Sequence, residues 1–137
     1  MITYRTGNQI DLDQVIELYR ASTLGERRPV DDRARMEAML RTANLVVTAW
    51  DGDLMAGIAR SLSDFAYATY LSDLAVRLSH QRQGIGRELV RRTRQEGGQA
   101  MVILLAAPKA VDYYPRIGFT RHDSAWILRP GDILRES

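Results

Sequence analysis

Leu74-Ala75-Val76-Arg77-Leu78-Ser79-His80-Gln81-Arg82-Gln83-Gly84-Ile85-Gly86-Arg87-Glu88-Leu89 carries the chain from an extended run into a helix through a polar loop and two glycines. Residues 67–76 are extended in character, and Leu89 and Val90 give the helix that begins around Gly84 its apolar side. Backbone N–H groups at a helix start have no intrahelical acceptor, and together with the positive end of the helix dipole they favour a phosphate oxygen. Glycine at positions 84 and 86 leaves no β-carbon in the way of a pyrophosphate, and Arg82 and Arg87 bring charge to the same place. The plainer reading is a tight strand-to-helix turn with no ligand, and a lone Gly-x-Gly does not separate the two. A P-loop would end in Gly-Lys-Ser/Thr, where this chain has Gly86-Arg87-Glu88; a dinucleotide fingerprint would need glycine or alanine where Leu89 stands.

Outward from that unit, residues 101–107 are a continuous apolar run suited to a strand buried on both faces, and Pro108 then opens a short helix. Gly118 suits that helix's C-terminus, residues 119–121 and 125–128 read as a final hairpin, and Pro130-Gly131 ends regular structure. Toward the N-terminus, residues 54–60 and 45–50 flank Asp51-Gly52 as a hairpin. Asp11, with Gln14 completing a capping box, starts a helix whose buried stripe is Val15, Leu18 and Tyr19. After the break at Gly25, Asp31 or Asp32 caps a second helix, ending near Asn44, with Met36, Met39 and Leu40 on one face. Residues 2–5 alternate as a strand. The order is strand, two helices, three strands, helix, strand, helix, two strands. That is an α/β chain, and its antiparallel hairpin excludes a purely parallel doubly wound sheet.

A length of 137 residues with 45% hydrophobic content predicts one domain over residues 1–137. With no cysteine there is no disulfide framework or thiolate nucleophile, and His80 and His122, far apart and without close-spaced partners, do not make a metal site. The first residues carry no basic flank leading into an apolar run, so a cytoplasmic protein is expected. No window approaches the roughly 20 apolar residues of a membrane span. A formal charge of +2 demands no nucleic-acid partner. The arginines at 82, 87, 91, 92 and 94 form a local cluster, but Glu88 and Glu96 interrupt it and no stacking aromatics are interleaved. Trp50, Trp126, Met36 and Met39 read as packing residues.

Leu74-Ala75-Val76 followed by Gln81-x-x-Gly84-x-Gly86 and Leu89 resembles the acetyl-CoA loop of the GNAT N-acetyltransferases. About thirty residues on, the run from Ala110 through Tyr113-Tyr114 to Gly118-Phe119 resembles the same family's Ala-x-x-Phe-Tyr-x-x-x-Gly-Phe helix and turn. The resemblance implies a mixed central sheet of six or seven strands with about four flanking helices, splayed between the fourth and fifth strands, here residues 69–76 and 100–107. Leu74, Ala75 and Val76 would pair with the pantetheine arm, and Gln81, Arg82, Gln83, Gly84, Ile85, Gly86 and Arg87 would cradle the pyrophosphate. The chain departs from the family at Leu78, where many relatives have proline, at Arg82, where many have glycine, and at Ala106-Ala107-Pro108, which lacks a frequent asparagine.

The implied activity is transfer of acetyl from acetyl-CoA to a primary amine, directly and in a ternary complex, without a metal. By resemblance Tyr114 protonates the departing sulfur and the backbone N–H near Val76 holds the oxyanion; the competing reading gives Tyr113 and Tyr114 a shared packing role. Asp73 is a candidate general base, equally readable as a charge pair at a strand edge, and Glu26 is a second candidate. Arg27, Arg28, Asp31 and Asp64 are expected near the acceptor cleft. The acceptor is a small-molecule or peptide amine: amino acid, polyamine, aminoglycoside, peptide N-terminus or protein lysine. A homodimer stays open, as does the alternative of an acyl-CoA-binding module without turnover.

Overall fold

The structure, a computed structural model, describes residues 1–136. Strand β1 (Ile2–Thr6) leads to helix α1 (Leu12–Arg20), where Asp11 is the N-cap and its carboxylate accepts the Asp13 N–H at 3.3 Å. Helix α2 (Arg33–Thr42) is capped by Asp32, which accepts the Arg35 N–H at 3.1 Å. Both caps satisfy donors that the first turn leaves orphaned. Strand β2 (Leu45–Asp51) then turns at Gly52, φ +60°, into β3 (Leu54–Ser63). Asp64 organises the next turn by accepting the N–H groups of Ala66, Tyr67 and Ala68, and β4 (Ala68–Val76) follows. Helix α3 (Ile85–Glu96) and strand β5 (Met101–Ile103) come next, and a single turn of helix, α4 (Tyr113–Arg116), is the last regular element among the described residues.

The sheet runs in the order β1-β2-β3-β4-β5, antiparallel throughout except for the parallel pairing of β4 with β5. It is mixed, as expected. Side chains alternate across β3. Ile58 joins Val15, Leu18 and Tyr19 of α1, Met36 and Leu40 of α2, and Val46, Trp50, Met55 and Ala75 of the sheet in one buried cluster. Gly57 faces α3 so closely that a β-carbon there would lie 3.0 Å from Leu89 Cδ1 and 3.1 Å from the Ala75 carbonyl oxygen. The start of α3 is thereby pressed onto the strands that flank the candidate site.

Strand β4 is irregular at one point. Arg60 pairs with Asp73 but Ser61 pairs with Leu71, so Ser72 is an extra residue, a β-bulge. Asp73 and Ala75 therefore turn toward α1 and α2, while Thr69, two residues before Leu71, packs beside Gly97 at the end of α3. The pairs with β5 are Ala68↔Met101, Thr69↔Val102 and Tyr70↔Ile103, and they stop just before the bulge.

Two expectations are corrected. Among the described residues the sheet has five strands, not six or seven, because residues 119–121 and 125–128 form no hairpin. Residues 120–136 are exposed throughout, and backbone groups there close local turns, with His122 accepting the Ser124 N–H and Asp132 accepting the Arg129 N–H. A two-stranded hairpin without a face to bury is not stable in water. Trp126 accordingly lies 91% exposed, whereas Trp50 is buried with its indole N–H on Thr48 Oγ1 at 2.8 Å. The fifth strand is three residues long with Met101 and Ile103 about half exposed, not a strand buried on both faces across 101–107; among the described residues it pairs with β4 alone. Within the span 1–137 the described chain groups into two compact units, Met1–Leu104 and the residues from Leu105 on. Among the described residues no helix is long and apolar enough to cross a membrane.

Candidate functional site

The end of β4 is anchored before the loop begins. Arg77 makes a two-pronged ion pair with Glu17 of α1, at 2.7 and 2.6 Å, and donates from Nε and Nη2 to the Met55 carbonyl oxygen of β3. Its own N–H reaches the Ala56 oxygen at 2.8 Å, and the Leu78 N–H reaches the Ala21 oxygen at 2.9 Å. The Arg77 hydrogen bond, working against burial, holds the Glu17 carboxyl below its ordinary range. A 3-10 turn (Leu78–His80) follows, in which His80 Nε2 lies 2.9 Å from Asp51 Oδ2 and Nδ1 lies 2.8 Å from Ser79 Oγ. The loop is thus tied to the β2–β3 hairpin as well as to α1.

From this anchored start Gln81 folds its amide back to donate to the Val76 carbonyl oxygen at 3.2 Å. Arg82 and Gly84 both adopt positive φ, +64° and +82°, in the left-handed region. The first hydrogen bond of α3 runs from the Glu88 N–H to the Gly84 oxygen at 3.1 Å. The N–H groups of Ile85, Gly86 and Arg87 precede it, and the N-cap, being glycine, has no side chain to satisfy them. A β-carbon on Gly84 would meet nothing within 4 Å, so the space in front of this helix start is open. Arg82, Gln83 and Arg87 are exposed around it. Acceptor-free N–H groups at a helix start behind open space are an arrangement that can receive an anion.

Of the arginine cluster on α3, Arg91 and Arg92 are committed to Glu88, at 2.6 and 2.7 Å. Their hydrogen bonds bring the Glu88 carboxyl down to about 2. Arg92 also lies over the Tyr4 ring, 4.5 Å from its centroid. Arg82, Arg87 and Arg94 make no ion pair with a described carboxylate.

Leu74, Ala75 and Val76 lie beyond the last β5 pair. Their backbone is held by β3, through Ala59↔Leu74, Ile58↔Ala75 and Gly57↔Val76, and has no ladder partner on the other side among the described residues. Ala75 is buried in the core and Leu74 and Val76 are half-buried. An unpaired strand edge next to the start of α3 offers main-chain hydrogen bonding to an extended amide-bearing chain.

Asp73 has an environment that differs from the one expected of a base. It is fully buried. Oδ1 accepts from Arg28 Nε at 2.6 Å and from Ser72 Oγ at 3.2 Å; Oδ2 accepts from Arg60 Nε and from the Tyr19 hydroxyl, each at 2.6 Å. Burial pushes the carboxyl up, but the Arg60 hydrogen bond and charge, with Tyr19 and Arg28, outweigh it and hold the carboxyl below its ordinary value. A carboxylate with every lone-pair direction taken and a lowered pKa is a poor proton acceptor. The charge-pair reading describes its surroundings better than the base reading does. Tyr19, pushed well up by burial and by the Asp73 charge, stays protonated and serves as a donor.

Arg60 was not legible as a member of this cluster; its only signal was a guanidinium in the inward phase of an apolar strand. Arg60 also donates to the Met39 oxygen of α2 at 3.1 Å and to Ser72 Oγ at 2.9 Å, so that one cluster joins α1, α2, β3 and β4. Among the other acidic and basic candidates, Glu26 and Arg27 are exposed in the turn Thr23–Arg27. Asp31 pairs with Arg20 at 2.8 Å on the surface. Asp64 is occupied in capping its own turn.

Tyr114 belongs to the second unit. It sits on α4, half-buried, with its ring edge-on to Tyr113 at 5.2 Å and to Phe119 at 5.4 Å. The Phe119 N–H returns to the Tyr114 carbonyl oxygen at 3.0 Å, and Gly118, φ +110°, makes that return turn. Burial, with a smaller contribution from Tyr113, raises the phenol's pKa, so it carries its proton at neutral pH.

Comparison with known proteins adds to this geometry. The family model described as an acetyltransferase (GNAT) domain matches residues 20–127. An uncharacterized N-acetyltransferase, ycf52-like, of Prochlorococcus marinus is 29% identical over 123 residues, 85% of this chain, and the chain spans 64% of that protein's length. A GNAT-family acetyltransferase of Streptococcus pneumoniae superposes with a TM-score of 0.70 at 28% identity, covering 94% of this chain and 99% of that one. The aminoglycoside N-acetyltransferase AAC(6')-Iy, solved in complex with CoA, superposes with a TM-score of 0.72 at 17% identity over 94% of each chain, a likeness of fold.

Proposed function

The chain belongs to the GNAT acetyltransferase family, and on that premise we propose that it is an N-acetyltransferase that moves an acetyl group from acetyl-CoA to the primary amine of a small molecule or peptide. The observation that carries this reading is the run of acceptor-free N–H groups at Ile85, Gly86 and Arg87 behind an open Gly84, adjoining the unpaired edge of β4. These residues fit the donor. Gln81, Arg82, Gln83, Gly84, Ile85, Gly86 and Arg87 would bind its pyrophosphate through backbone donors and the helix dipole. Leu74, Ala75 and Val76 would bind its amide-bearing arm as an added strand.

Acetyl-CoA supplies the activated acyl group. In direct transfer the neutral amine nitrogen forms its bond to the acyl carbon as the bond to sulfur breaks, and the amine's surplus proton is balanced by the one the sulfur gains. Tyr114 is the residue we assign to protonate that sulfur, on the motif around it and on a phenol that is protonated at neutral pH. The backbone N–H near Val76 would stabilise the negative charge that develops on the acyl oxygen. Asp73, engaged as it is, is assigned a positioning role in place of the base role, and deprotonation of the amine falls to solvent or to a group on the acceptor side. Small-molecule amines are the acceptors of the aminoglycoside acetyltransferases that share the fold, which supports a small-molecule acceptor here.

The test is a calorimetric titration with acetyl-CoA of the parent chain and of Gly84→Asp, whose side chain would enter the open space before the helix start. Aspartate tolerates positive φ better than most residues, so the variant should fold. Binding by the parent, weakened about a hundredfold in the variant by like-charge repulsion, is expected. No binding by the parent would overturn the reading, and binding without release of thiol in the presence of any amine would leave an acyl-CoA-binding module instead. Tyr114→Phe should lower turnover by about two to four orders of magnitude with acetyl-CoA affinity unchanged. Undiminished turnover would remove Tyr114 as the acid.

A further inference from the structure

The cluster on β4 holds two guanidinium groups and one carboxylate. Arg28 and Arg60 each pair with Asp73 at 2.6 Å, and no other described carboxylate lies within ion-pair distance of either arginine. One positive charge is therefore in excess in a partly enclosed place, where electrostatic interactions are screened less than at an open surface.

The two arginines are not equivalent. The Arg60 side chain is 8% exposed and is closed in by Asp73, Met39 and Ser72. The Arg28 side chain is 22% exposed. Its Nε donates to Asp73, one Nη1 proton to the Arg27 oxygen and one Nη2 proton to the Ser72 oxygen, which leaves one N–H on each terminal nitrogen. Those contacts fix the plane of the guanidinium against the bulge of β4, just where the strand loses its partner on the β5 side. A rigid guanidinium with two donors to spare and an unneutralised charge matches an oxyanion such as a carboxylate or phosphate.

We propose that the acceptor amine carries an anionic oxyacid group and that Arg28, held by Asp73 and Ser72, is the specificity-determining residue that binds it. The inference rests on the acyl-transfer reading above and narrows its acceptor. It sets this chain apart from enzymes whose acceptors are polycations, because a second ammonium near Arg28 would meet the excess positive charge. Asp73 acts through Arg28 as a positioning residue, and the acceptor's anion completes the neutralisation of the cluster.

The experiment is steady-state transfer from acetyl-CoA by the full chain to matched acceptors: an α-amino acid and its amide, an aminoalkyl phosphate and the corresponding amino alcohol, and an aminoglycoside. Each is run with the parent, Arg28→Gln and Arg28→Lys, and each variant is first titrated with acetyl-CoA to establish that it is folded. The anionic members should be the better acceptors. Arg28→Gln should raise their KM about ten- to a hundredfold, the loss of a charge-assisted pair, with the KM for acetyl-CoA and for the neutral members unchanged. Arg28→Lys should recover part of the loss, and preference for the amino acid or for the aminoalkyl phosphate tells which oxyacid is read. Preferential transfer to the aminoglycoside or to the neutral members, or an equal effect of Arg28→Gln on anionic and neutral acceptors, overturns this inference alone. Transfer to no amine by a chain that binds acetyl-CoA overturns the acyl-transfer reading and this inference with it.

Discussion

The loop from Gln81 to Arg87 and the cluster around Asp73 both hang from β4, and they are built on opposite principles. The loop is backbone left unpaired: three N–H groups ahead of the first helical hydrogen bond, glycine where a side chain would have capped them, and open space in front. The cluster is side chains paired until no lone pair of Asp73 is free, drawn from one helix, two strands and the turn at Arg28. A site that must receive a ligand keeps donors in reserve, whereas a site that must hold elements together spends them. Between the two, Arg28 is intermediate, saturated on one side and open on the other.

The contrast predicts that stability and donor affinity separate. The largest effect is expected for Asp73→Ala, which leaves two guanidinium groups facing each other in an enclosed place and should cost about 3–5 kcal/mol in urea denaturation. At a temperature where the variant is still folded, its acetyl-CoA affinity should stay within about twofold of the parent. A loss of affinity as large as the loss of stability would break the contrast. Gly84→Asp should behave in the reverse sense, losing its affinity for acetyl-CoA while its unfolding free energy falls by no more than about 1–2 kcal/mol, the cost of a side chain at φ +82°.

The smallest effect is in the pH dependence. The folded Asp73 carboxyl lies below its ordinary 3.8, so its contribution is present in full above that value and is lost as pH falls through the lower folded one. The stability difference between the parent and Asp73→Asn should accordingly be flat from neutral pH down to about pH 5 and shrink below pH 4. A difference that grew on acidification would mean that the carboxyl is protonated in the native state at higher pH than its partners allow.

Legibility in the sequence followed the same division. The turn from β4 into α3 was readable because it rests on glycine at fixed spacing within a few residues. The caps at Asp11 and Asp32 and the Asp51-Gly52 turn were readable for the same local reason. The cluster was not, since Tyr19, Arg28 and Arg60 stand 54, 45 and 13 residues from Asp73, and each has an ordinary local explanation as helix stripe, loop charge or strand end. The hairpin expected at residues 119–121 and 125–128 failed for a related reason: an alternating apolar pattern describes what a segment could bury, while a strand also needs an edge to pair with, and local turns took those backbone groups instead. Tyr114 is carried by its motif and by a protonated phenol, and awaits the turnover measurement.

The bulge at Ser72 has one more implication. It comes two residues after the last rung that β4 shares with β5, Tyr70↔Ile103. An inserted residue bends and overtwists a strand, and here it also places the Ser72 carbonyl and hydroxyl against Arg28 and Arg60. A chain shortened by one residue at Ser72 should run in unbroken register with β3, but it loses the carbonyl and hydroxyl oxygens that hold Arg28 and Arg60, so one residue of length decides whether both guanidinium groups keep their place.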